Sequence, residues 1–88
     1  MEAQAKYWSG RDMEIELACK VAGEVIRRFL KGGRPHGNAV SGALNRIQKL
    51  LQPLALTRAE FANDQIWKSL CRAQETIFVL AREAGIVK

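Results

Sequence analysis

Residues 12–31 read DMEIELACKVAGEVIRRFLK, and their spacing decides the fold. Ile15, Ala18, Val21, Ala22, Val25, Ile26, Phe29 and Leu30 recur at steps of three and four, which at about 100° per residue gathers them on one side of a cylinder. The pattern predicts a first amphipathic helix over 12–31. Ser9 followed by Asp12 resembles a capping arrangement, and Gly32-Gly33 supplies residues that tolerate a left-handed stop. Glu16 with Lys20, and Glu24 with Arg28, stand in the favourable i, i+4 order on the polar face. Arg27, Arg28 and Lys31 crowd the last turns, where the helix dipole favours cations.

Outward from this helix, residues 32–38 (GGRPHGN) combine glycines with a proline and predict a loop. Asn38 is the expected cap of a second helix over 38–52, whose apolar stripe is Ala39, Val40, Ala43, Leu44, Ile47, Leu50 and Leu51. Pro53 ends it. Thr57 with Glu60 has the form of a capping box, and Leu56 with Phe61 the spacing of a hydrophobic staple. A third helix over 58–84 then carries Ala59, Ala62, Ile66, Leu70, Ala73, Ile77, Leu80 and Ala84, with Gly85-Ile86 suggesting a Schellman end. It either runs unbroken or breaks near 63–64, because Asn63 and Asp64 compete for backbone hydrogen bonds and favour caps.

On the other side, Met1 to Trp8 holds too few residues for an isolated helix. Tyr7 and Trp8 are expected to fold back onto the bundle, within a loosely packed segment over 1–10. No stretch alternates as a surface strand does, so the expected fold is all-α: one small bundle of three principal helices, a single domain over 1–88.

The 88 residues carry 48% apolar-class and 26% charged side chains, an ordinary globular balance. No run of 18 apolar residues predicts a membrane span, and the N-terminal residues lack a signal-peptide layout, so the expected location is cytoplasmic and away from membranes. Cys19 and Cys71 sit singly in helical patterns and read as small hydrophobes rather than a disulfide. With His36 they do not make up the ligand set of a structural zinc site, so no metal is expected.

Chemistry is sparse. His36 is the single group that titrates near neutrality unperturbed, and no nucleophile or carboxylate lies beside it in sequence. Gly32-Gly33 matches no phosphate-binding fingerprint. Neither an enzyme nor a cofactor is expected.

Two binding surfaces are. The third helix carries a second apolar line, Trp67, Cys71 and Phe78 with Gln74 between them, broader than a small core requires. This line is the candidate protein interface, either with a partner or in a homodimer that pairs the third helices antiparallel. Separately, Arg27, Arg28, Lys31, Arg34, His36, Arg46 and Lys49 surround the first loop as a candidate basic patch for an acidic protein face, in a chain of net charge +5. The expected function is therefore a non-enzymatic regulatory or inhibitory module that binds another macromolecule, first of all a protein. The alternative is a nucleic-acid-binding protein that contacts phosphates through the same patch, without interleaved aromatics to stack on bases. Leu56 to Ala62 also has the look of the opening helix of a helix-turn-helix. That would put Gln65, Lys68, Ser69 and Arg72 on a recognition helix, but the apolar period runs on where a turn is needed.

Overall fold

The computed structural model describes residues 6–86. After a short helical turn at residues 6–8, the chain forms α1 (Asp12–Leu30), α2 (Gly37–Leu51), a 3-10 segment (Gln52–Phe61) and α3 (Gln65–Glu83). Each of the three α-helices packs against the other two, and the 3-10 segment packs on α2. The result is the expected all-α bundle. Ile47, Leu50, Leu70, Ile77 and Val40 are its largest fully buried side chains, with Ala18, Ala22, Ala43 and Ala81 letting the helices approach. The predicted stripes hold with local exceptions: Leu30, Ala59 and Ala62 face solvent, and Ala81 lies inside.

Helix boundaries follow backbone geometry more than the side-chain caps read from sequence. Arg11, not Ser9, is the N-cap of α1, and no side chain caps it. The Arg11 N–H instead closes a turn onto the Trp8 carbonyl at 3.0 Å, which delays the helix until Asp12. At the other end Gly32 adopts φ +82, and the Gly33 and Gly32 N–H groups donate to the Arg28 and Phe29 carbonyls at 2.8 and 3.0 Å. This is a Schellman stop, which leaves Lys31 just outside the helix. The cap of α2 is His36, whose Nδ1 accepts from the Asn38 N–H at 3.2 Å. Asn38 is thus the donor rather than the cap.

Between Gln52 and Phe61 the chain tightens to about three residues per turn. Leu51 and Leu54 consequently point into the core, while Leu56 is 100% exposed. The expected staple with Phe61 does not form. Thr57 kinks the segment (φ −118, ψ 23), and its hydroxyl donates back to the Leu54 carbonyl at 3.4 Å. A long third helix from residue 58 is likewise replaced by the broken form. Asp64 is extended (φ −75, ψ 130), and its Oδ1 accepts the Trp67 N–H at 2.8 Å, so α3 begins at Gln65. Its end is the expected Schellman motif: Ile86 N–H to Ala81 carbonyl at 2.9 Å, Gly85 N–H to Arg82 carbonyl at 3.0 Å, and Gly85 at φ +74.

The N-terminal aromatics fold back as expected. Trp8 is only 5% exposed and its Nε1–H donates to Asp64 Oδ1 at 3.0 Å. The Tyr7 hydroxyl donates to the Leu50 carbonyl at 2.6 Å. Their rings meet each other and Phe61 edge-on, and Phe61 in turn lies 6.1 Å from the Trp67 ring. Arg11 covers the Tyr7 face at 4.3 Å and donates to its carbonyl. Of the segment over 1–10, residues 1–5 lie outside the described residues.

Candidate binding surfaces

The two surfaces read from sequence lie on opposite flanks of α2. One flank, with Ala39, Gly42 and Arg46, faces Val21, Val25 and Arg28 of α1 across a groove of 260 Å³. The other faces α3, where Gln48 Nε2 donates to Gln74 Oε1 at 3.1 Å.

On the α3 side, Cys71, Gln74 and Phe78 line one shallow concavity of 500 Å³ together with Glu75, Val79 and Arg82. Three members of the expected interface line are thus brought together. Trp67 is not among them: half-buried, it packs into the aromatic cluster with Phe61, about three turns of helix from Phe78. That cluster, seeded by Tyr7 and Trp8, uses much of the apolar surplus that the sequence assigned to an interface. Burial pushes the Cys71 thiol above its ordinary pKa, and the nearby Arg58 guanidinium opposes that rise. Cys71 is therefore a neutral, weakly nucleophilic wall of the concavity.

On the α1 side, Arg27, Arg28, Lys31, Arg34, His36, Arg46 and Lys49 are all exposed. Arg27, Arg28 and Lys31 line a 410 Å³ depression with Glu24, and Arg28 shares the adjoining groove with Arg46. The loop residues are drawn elsewhere. His36 commits Nδ1 to capping α2. The Arg34 guanidinium sits at the C-terminal end of α3, where a Cβ on Gly85 would meet its Nη2 at 3.9 Å, a position the helix dipole favours for a cation. Lys49 lines neither depression.

The turn that a helix-turn-helix needs is present after all, at residues 62–64, and Gln65, Lys68, Ser69 and Arg72 are exposed on α3. The preceding element is the kinked 3-10 segment rather than an α-helix, so the two-helix unit is incomplete.

A further apolar exposure escaped the sequence reading. Met13 and Leu17 stand 83% and 43% exposed on the outer face of α1, in a 340 Å³ hollow with Glu14, Glu16 and Lys20. The available signal was their four-residue spacing on the face opposite the core stripe.

Among the described residues, no group of three or more His, Cys, Asp or Glu side chains is placed to hold a metal ion, and no helix is long and apolar enough to cross a membrane. No protein-family model matches the chain, nor does any curated protein or solved structure compared with it.

Proposed function

We propose that the chain is a small non-enzymatic regulatory or inhibitory module that docks on another protein through the outer surface of α3. The observation that carries this reading is the concavity of Cys71, Gln74, Glu75, Phe78, Val79 and Arg82, where Val79 stays 46% exposed after the core is packed. An open hollow with an apolar wall and a guanidinium at its rim fits a segment that inserts an apolar side chain and offers a carboxylate to Arg82. From the opposite flank of α2 the exposed Arg27, Arg28, Lys31 and Arg46 accelerate the approach of an acidic partner without lining the concavity.

The experiment compares, by quantitative mass spectrometry, the proteins retained from the source cells by the wild-type chain, by Phe78→Arg, and by Arg28→Glu/Arg46→Glu. A partner that drops at least about tenfold with Phe78→Arg and less with the charge reversals is expected, because losing a central anchor costs about 2 kcal/mol or more whereas rim charges chiefly tune on-rates. Identical retention by all three proteins contradicts the reading.

One observation favours a second reading, phosphate contact by nucleic acid. Arg27, Arg28, Lys31 and Arg46 line adjoining depressions with Glu24 as the sole carboxylate in either lining. The same depressions contain no aromatic ring for base stacking, so this reading supplies non-specific affinity alone.

A further inference from the structure

We infer that the outer face of α1 is a self-association surface, which receives α1 of a second copy antiparallel across a twofold axis at the level of Ala22. This face does not include the α3 concavity, but it takes Arg27 and Lys31 from the basic flank, so that in the dimer Arg28 and Arg46 alone meet an acidic partner.

Met13, Leu17, Lys20, Glu24, Arg27 and Lys31 follow one another at alternating steps of four and three, the spacing of a helix-pairing seam, on the side of α1 away from its buried Ala18, Ala22 and Val25. All six are exposed. An antiparallel twofold centred at Ala22 sets Lys20 against Glu24 of the second copy, twice. It also lays the Met13 and Leu17 side chains along the aliphatic stems of Lys31 and Arg27. Every seam position thereby meets either an opposite charge or a hydrocarbon partner. The 19 residues of α1 give a contact about 28 Å long.

Charge order identifies the occupant. The N-terminal half of the helix presents Asp12, Glu14 and Glu16, and the C-terminal end Arg27 and Arg28 with Lys31 just beyond it. An acidic partner would match one half and be repelled by the other, whereas a second copy running the opposite way matches both. The helix dipole accounts for acids early and bases late, but not for the central pair, where Lys20 precedes Glu24 against the dipole's order. Nor does it account for a methionine and a leucine on the solvent side.

Sedimentation equilibrium at about 0.15 M salt tests the inference, that ionic strength screening the +5 charge each copy carries. The expected wild-type mass is twice 9.8 kDa at the upper end of the concentration range. Lys20→Glu alone and Glu24→Lys alone each weaken the dimer by at least about tenfold, since each sets like charges together twice. Their equimolar mixture and the double exchange Lys20→Glu/Glu24→Lys both restore it. Circular dichroism verifies that the exposed substitutions leave the helices intact. A wild-type chain monomeric throughout, a dimer indifferent to the single exchanges, or a double exchange without rescue each overturns the inference.

Discussion

Replacing Trp8 with alanine lowers the unfolding free energy by about 3–5 kcal/mol, the range for removing a large buried aromatic. A small domain is stabilised by roughly 5–15 kcal/mol in total, and fewer than ninety residues place this one toward the lower end. The variant therefore sits near its unfolding midpoint without denaturant. The cost has three sources: the buried indole at 5% exposure, the edge contacts of its ring with Tyr7 and Phe61, and the Nε1–H bond to Asp64. Trp8→Phe separates them. It keeps an aromatic ring in the cluster and loses the hydrogen bond, at a cost of about 1–2 kcal/mol. Urea unfolding followed by circular dichroism reads both. A Trp8→Ala cost below about 1 kcal/mol, the level of an ordinary surface site, would mean that residues 6–8 merely rest on the bundle.

Asp64→Ala is expected to cost about 2–3 kcal/mol, because one carboxylate oxygen holds two unrelated elements. The cap on the Trp67 N–H is worth about 1 kcal/mol, and removing it also leaves a terminal donor of α3 unsatisfied. The bond from Trp8 adds a charge-assisted contribution of about 1.5 kcal/mol or more, since the indole N–H is left without its acceptor inside a buried cluster. Asn at 64 retains a side-chain oxygen in the same place and recovers at least half of the loss. In a double-mutant cycle with Trp8→Phe the two costs are less than additive, by about 1 kcal/mol, because both substitutions break the same bond. Strict additivity in that cycle would show that the Trp8–Asp64 contact contributes nothing to stability.

These two residues also mark where the sequence was legible and where it was not. The periodicity of residues 12–31 and 39–52 and the apolar core of α3 translate directly into three packed helices, because a 3.6-residue period sustained over many turns has few other solutions. Gly32 and Gly85 stop helices as read, since the left-handed backbone is a local property. Caps were less legible. Ser9, Asn38 and Thr57 each have suitable chemistry, yet Arg11, His36 and Asp64 occupy the N-cap positions. Which residue caps depends on where the chain enters the helix, and that is set by the burial of Trp8, Pro35 and Phe61 rather than by local propensity.

The candidate site shows the same division. Cys71, Gln74 and Phe78 share a face by helical arithmetic alone and do line one hollow. Trp67 carries the same arithmetic, but its aromatic partner Phe61 lies across a helix break at residues 62–64 whose geometry the sequence left open. Arg34 and His36 are neighbours of the basic helix end in sequence. A helix terminus and a cap claim them in space. Exposed Met13 and Leu17 were masked by surrounding glutamates, which make the segment read as solvated surface.

The proposed function requires that this chain bind protein and that its basic side chains not serve as a phosphate track. Fluorescence anisotropy of labelled duplex DNA and single-stranded RNA, titrated at low salt and at about 0.15 M, tests this most directly, because phosphate affinity falls steeply as counterions compete. The predicted result is weak or no binding at low salt and none at 0.15 M. Binding that survives at 0.15 M and is abolished by Arg28→Glu/Arg46→Glu, two residues of the same basic groove, would contradict the proposed function and assign it to the basic surface.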